Sequence, residues 1–229
     1  MDYILQGFLE GSRLLLAGDN ETYTVVFTTV KVSSLSITAS LLIGVPLGFL
    51  LGYFEFPGQR HIKTVVDTLL ALPTVVVGLF VYAFVSRQGP LGELGLLFTI
   101  PGIAIAQTIL VTPIVVSLTA TAIESLDRRL RPTLVALGAR GNQILLTSVM
   151  EARHGIAAAA VTAYGRAISE VGVSMMIGGN IKWHTRTITT AISLETAKGE
   201  FALGMALGMV LLLLALIVNA MLIALKKKA

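Results

Sequence analysis

Apolar residues in this chain gather into five long runs separated by short polar segments. The runs cover roughly residues 24–53, 64–86, 99–123, 152–176 and 201–225. A bilayer-spanning helix needs about 20 mostly apolar residues, and each run is long enough. The fourth is the weakest, because Ala and Gly dominate it and Arg166 and Glu170 lie inside it. Residues 3–18 are too short and too charged to span easily. Their Leu, Ile and Phe suggest a helix lying at the membrane interface, with a sixth span as the other reading. The pattern predicts an all-α integral membrane protein with a five-helix core. The N-terminal interfacial helix would occupy 1–22 and the transmembrane domain 23–229.

Small residues add a second regularity. Gly44, Gly48 and Gly52 recur every fourth position, as do Gly155, Ala159, Ala163 and Ala167, and Gly204 pairs with Gly208. Such seams let helix backbones approach closely in lipid. They read first as bundle packing and second as sliding surfaces. Pro46, Pro73, Pro101 and Pro113 fall inside spans, where each removes a backbone donor and favours a kink.

The polar segment 124–151 stands apart. With the start of the next helix it carries Arg128, Arg129, Arg131, Arg140 and Arg153, and it cannot lie in lipid as a whole. Ser125 or Asp127 can cap a helix, and Pro132 suits a first helical turn. Leu134, Leu137, Ile144, Leu145 and Val149 follow an irregular helical spacing interrupted by Gly138 and Gly141. The segment therefore predicts two short helices joined at a glycine, with an apolar knob between basic flanks that fits a groove on a partner protein.

Composition supports the membrane reading. The chain is 55% hydrophobic and 13% charged, where a soluble domain averages about 25% charged. There is no cysteine, so no disulfide framework exists. The opening MDYILQGFLEGSR places Asp2 and Glu10 where a signal peptide would be basic. With the N-terminus outside, the inner segments hold Arg60, Lys63, the five arginines above, and Lys226, Lys227 and Lys228, ten basic residues in all. The outer segments hold six: Arg13, Lys31, Arg87, Lys182, Arg186 and Lys198. The positive-inside rule then puts the C-terminus and the 124–151 loop in the cytoplasm.

Within the spans, Arg166 and Glu170 sit four residues apart on one helix face. Arg166 could meet a divalent oxyanion, or pair with Glu170 to fix helix packing. Residues 177–186, IGGNIKWHTR, are expected near the outer face. Gly178 and Gly179 allow a turn there. Asn180, Lys182, Trp183, His184 and Arg186 would then face the periplasm or the pore mouth, with Trp183 as an interfacial anchor. Three histidines, His61, His154 and His184, do not form a metal site. The few intramembrane polar groups, among them Asp67 and Asn219, suggest no enzymatic reaction. No inverted repeat points to a secondary transporter or channel.

Several stretches resemble a known family. LGARG at 137–141, followed by TSVMEARHGI, resembles the EAA loop of ABC-importer permeases. The loop's glycine falls on Gly138, its E-A-A positions on Pro132, Thr133 and Leu134, and its I-x-L-P positions on Ser148, Val149, Met150 and Glu151. The glycine and the placement are kept, while most other marked positions differ. LPTVVVGLF and RQGPLGELG within 72–95, and IPGIAIAQTILVTPIVVSLTATAIESLD at 100–127, resemble molybdate- and tungstate-type permeases. AYGRAISEVGVSMMIGGNIKWHTRTITTAI at 163–192, with ETAKGEFALG after it, is most similar to the tungstate branch.

The resemblance covers about residues 24–225. It implies the fold of a type I (MetI-like) ABC importer permease, working by alternating access on a tetrahedral oxyanion, tungstate before molybdate. It implies a homodimer in the inner membrane, a cytoplasmic ABC ATPase dimer docked on Pro132, Thr133, Leu134, Leu137, Gly138, Ala139, Arg140 and Gly141, and an extracytoplasmic oxyanion-binding protein. Arg166, Glu170 and Asn180 would border the translocation path. Lys182, His184 and Arg186 would lie at the outer mouth or touch the binding protein. The chain has no GxxxxGK[ST] phosphate loop, so ATP would be bound by the partner subunit and this chain needs no cofactor. Membrane lipid is expected around it, and no nucleic acid.

Overall fold

The computed structural model describes residues 19–226, together with Leu9, Ser12 and Arg13. The proposed interfacial helix over 3–18, and Lys227 and Lys228, lie outside the described residues. The described chain is helical, with α1 Asn20–Tyr53, α2 Gln59–Leu70, α3 Thr74–Val85, a 3-10 turn Gly92–Leu94 and α4 Ile100–Glu124. It continues with α5 Leu130–Ala136, α6 Gly141–Glu151, α7 Arg153–Ile168, α8 Gly172–Gly178, α9 Ile188–Lys198 and α10 Phe201–Lys226. Helices α1, α4 and α10 are each long and apolar enough to cross a membrane, and two bent pairs raise the number of crossings to as many as five.

The central element is α4, which packs against α1, α2, α3, α7 and α8. It starts where Thr99 Oγ1 accepts the Gly102 N–H at 3.1 Å, with Pro101 in its first turn. Its main partner is α1. A β carbon on Gly48 would lie 2.6 Å from the Val116 carbonyl oxygen, and one on Gly52 2.5 Å from that of Ala120. Only glycine permits that approach. The seam continues upward at the same spacing through Ser40, whose hydroxyl donates to the Thr108 carbonyl at 3.3 Å, and Ser36. Gly155 faces Ala122 in the same way, and Ala159, Ala163 and Ala167 are buried along α7. Gly208 differs, with open space where its β carbon would be.

Two expected spans are not straight. The run at 64–86 divides into α2 and α3, bent by 98°. Pro73 supplies no N–H and disfavours helix at the residue before it, so α2 ends at Leu70 and α3 restarts at Thr74. No α2 residue is buried; Ile62, Val65, Leu69 and Leu70 are exposed along it. Pro46 and Pro113 stay inside their helices, whereas Pro73 and Pro101 mark helix starts. The run at 152–176 breaks after Ile168 and resumes as α8. A further helix, α9, follows the turn after α8 and packs on α10 and α1.

Candidate functional site

Three places gather the residues singled out by sequence. The first is the basic loop. Asp127 accepts the Arg129 N–H at 2.8 Å and leads into α5, with Pro132 in the first turn. α5 ends in a Schellman closure: Ala139 N–H donates to Leu134 O at 3.0 Å, and Gly138 N–H to Val135 O at 2.9 Å. That closure needs a left-handed residue, and Gly138 has φ 78°. Nothing lies near its missing β carbon, so conformation rather than crowding requires glycine there. Gln143 accepts the Arg140 N–H at 2.7 Å and starts α6. Pro132, Thr133, Leu137, Gly138, Arg140 and Gly141 are exposed, and Leu134 and Ala139 half-buried. Leu137, 78% exposed, stands at the tip. The apolar knob is built differently from the expectation. Val135, Leu137, Leu146 and Met150 project outward, while Ile144 is buried and Leu145 and Val149 turn partly inward. α6 then runs into α7 through Ala152 alone, with a bend of 55°.

The second place is the break between α7 and α8. Arg166 Nη1 donates to Glu170 Oε2 at 2.7 Å. Glu170 is only 2% exposed, and its other oxygen accepts the Val173 N–H at 3.1 Å, capping α8. A carboxylate suits a helix start, where unpaired N–H groups carry partial positive charge. The Glu170 carbonyl accepts the Thr189 hydroxyl at 2.6 Å, fastening α9 to the break. Gly172 keeps the site compact: a β carbon there would lie 2.9 Å from Thr74 Oγ1 at the start of α3. Beside this break lies Gln107, buried in the middle of α4 and not singled out by sequence. It accepts from the Ser36 hydroxyl at 3.1 Å and donates to Ser174 Oγ at 3.1 Å, linking α1, α4 and α8. Its signal was available, as the lone amide side chain in the run IPGIAIAQTILVTP.

The third place is the turn after α8. Gly179 has φ 66°, Asn180 51° and Trp183 65°. Thr185 Oγ1 accepts the Ile181 N–H at 3.1 Å and donates to Gly178 O at 2.5 Å, closing the turn. Lys182, Trp183 and His184 are exposed, and Lys182 lies 5.4 Å from the Trp183 ring centre. Asn180 and Arg186 are not; they are 9% and 8% exposed. Asn180 turns inward because its left-handed backbone aims the amide at Thr190 O, 3.2 Å away. Arg186 is drawn in by two carboxylates, Glu21 at 2.7 Å and Glu195 at 3.3 Å. Lys182 meets the other Glu21 oxygen at 2.6 Å, and Lys198 meets Glu195 at 3.0 Å. Of the three residues expected at the outer mouth or against the binding protein, Lys182 and Arg186 are therefore already paired with carboxylates of the chain. Asp19 lies at the same end. The Thr22 hydroxyl and N–H donate to it and hold its carboxyl below the usual carboxylate range.

Known proteins with this sequence pattern and fold fix the class. Residues 44–229 match the family described as "Binding-protein-dependent transport system inner membrane component". The tungstate uptake system permease protein TupB of Campylobacter jejuni is 48% identical over 219 residues, covering 96% of this chain and 92% of that protein. TupB of Peptoclostridium acidaminophilum is 36% identical over 228 residues, the whole of both chains. The molybdenum transport system permease ModB of Escherichia coli K12 is 30% identical over 188 residues, covering 78% of this chain and 82% of ModB. Among solved structures, the inward-facing MetNI methionine ABC transporter aligns over 90% of this chain and 96% of its own, with TM-score 0.68 and 18% identity. A bacterial alginate importer aligns over 94% and 82%, with TM-score 0.72 and 19% identity. The chain thus has the type I, MetI-like ABC importer permease fold. It belongs to the family of inner-membrane permease components of binding-protein-dependent transport systems.

Proposed function

We propose that this permease carries a tetrahedral oxyanion, tungstate first, through the membrane of an ATP-driven importer. The observation that carries the substrate class is the likeness to tungstate uptake permeases along nearly the whole chain. Molybdate is the second reading, favoured by the weaker likeness to molybdenum permeases. The working unit in this proposal is two copies of the chain, an ATPase dimer on the cytoplasmic loops, and an extracytoplasmic binding protein. The N-terminus lies outside and the C-terminus inside, as the count of basic residues favours.

The ATPase docks on Leu137 and Gly138 and the residues around them, from Pro132 to Gly141. Closure of the ATPase dimer on ATP displaces α5 and α6. α6 is joined to α7 through Ala152 alone, so the displacement reaches the Arg166–Glu170 break without an intervening loop. The result is a shift in population between inward- and outward-open packings, driven by the difference in ATP binding to the two. Arg166, with its side chain partly exposed, borders the path. Glu170 and Asn180 shape it from behind. Lys182 and His184 meet the binding protein, while Arg186 holds the turn that presents them.

The test is ATP hydrolysis by the complex in liposomes with its binding protein. Tungstate-loaded binding protein is expected to stimulate hydrolysis, and molybdate- or sulfate-loaded protein to do so less. Equal stimulation by empty binding protein would refute the importer reading.

A further inference from the structure

At the inner end of α1 two cavities adjoin. One, about 350 Å³, is an apolar slot between α1, α2 and α4, lined by residues such as Leu47, Leu50, Val66, Leu69, Pro113 and Val116. The polar side chain in its lining is Thr112, whose hydroxyl is engaged by the Thr108 carbonyl at 2.6 Å. The other, about 760 Å³, is a polar mouth lined by Tyr53, Glu55, Lys63, Glu124, Arg128 and Arg131 among others. Phe56 lines both, so the slot opens beside the mouth.

Charge in the mouth is balanced in number, Lys63, Arg128 and Arg131 against Glu55, Glu124 and Asp127, but only partly paired. Lys63 and Glu124 pair with each other. Among the described residues Arg128, Arg131 and Glu55 form no ion pair, and Arg131 lies over the Tyr53 ring with its guanidinium carbon 6.0 Å from the ring centre. The location is also specific. Tyr53 ends a membrane-spanning helix, and α2, bent 98° away from α3, exposes an apolar stripe beside Arg60, His61 and Lys63. A helix with such a stripe lies in the boundary between headgroups and acyl chains. An apolar slot at that depth meets hydrocarbon, and a mouth with two unpaired arginines meets phosphate.

We propose that this two-part cavity binds one phospholipid. Its phosphate sits on Arg128 and Arg131, and one acyl chain fills the slot between α1, α2 and α4. Glu55 in the same mouth favours a headgroup that carries a terminal ammonium beside its phosphate. The mouth is also lined by Leu130 of α5 and Ser148 of α6. The bound lipid therefore wedges between the end of α1 and the loop that the ATPase reads. The site requires only that the chain spans the membrane. It does not depend on which anion is carried, so a failed tungstate assay would leave it standing.

The test uses the assembled complex in membranes with a phosphatidylethanolamine bearing a photoreactive acyl chain. Cross-linked peptides are expected within residues 47–69 and 112–116. In the variant Arg128→Gln/Arg131→Gln, lipid retained after detergent washing is expected to fall about tenfold or more, the loss of two charge-assisted contacts. Cross-links confined to other helices would overturn the proposal. So would equal retention by variant and wild type. If the variant instead lowers tungstate binding to the delipidated complex and leaves lipid labelling unchanged, the mouth is a soluble-anion site and the proposal fails.

Discussion

Arg186 and Glu21 stand 165 positions apart and meet at 2.7 Å, tying the turn after α8 to the first turn of α1. Glu195 takes the same guanidinium nitrogen from the far side. Arg186→Ala is expected to cost roughly 1–3 kcal/mol, because it takes one of two cations from buried Glu195 and leaves Lys198 as the other. Arg186→Met combined with Glu195→Leu is expected to recover most of that loss. Thermal unfolding of the purified permease in detergent measures both. Equal destabilisation by the single and double variants would argue against the pair.

The pair at the α7–α8 break separates packing from transport. Arg166→Gln is expected to destabilise, since Glu170 is then buried alone at the start of α8. Adding Glu170→Gln restores stability to within about 1 kcal/mol, because glutamine still accepts the Val173 N–H. If Arg166 borders the path, tungstate-stimulated ATP hydrolysis stays low in this stable double variant. Full recovery of hydrolysis would make the arginine a packing residue only.

Gly138 is the residue to test in the loop. Gly138→Leu is expected to strain the Schellman closure by about 1–2 kcal/mol and to redirect Leu137. The permease should still assemble with its ATPase, while stimulation by loaded binding protein is lost. Gly138→Asn, which tolerates a left-handed backbone, should stay close to wild type.

The glycine seam makes a stability prediction with an internal control. Gly48→Ala sets a β carbon against the Val116 carbonyl and is expected to lower stability by about 1–3 kcal/mol, as overpacking does. Gly208→Ala meets open space within the chain and should leave the unfolding temperature unchanged.

Gln107 carries the last prediction. Gln107→Leu removes the link between Ser36 and Ser174 and leaves a buried hydroxyl short of a partner, at a cost of roughly 1–3 kcal/mol. Substituting Ser36→Ala and Ser174→Ala in the same chain should reduce that cost. Denaturation midpoints of the single and triple variants would decide it.

Hydropathy determined the membrane class, the number of apolar runs and the limits of α1, α4 and α10, since burial in lipid is a local property of a run of residues. Glycine chemistry determined the bend at Gly138, because a left-handed position is also a local requirement. The family-like runs at 137–141 and 163–192 point to the permease class from sequence alone. Tertiary structure alone decided the rest. The 98° bend at Pro73 depends on how α2 and α3 pack on α4, since a proline inside a helix is equally tolerated at Pro46. Asn180 and Arg186 read as outer polar residues, yet they turn inward because Thr190, Glu21 and Glu195 converge on them. Gln107 is the lone amide side chain in a mostly apolar run, and the fold alone brings Ser36 and Ser174 to it from two other helices. Pairing between distant positions is set by packing, and no pattern along the chain encodes which partner a buried polar group finds.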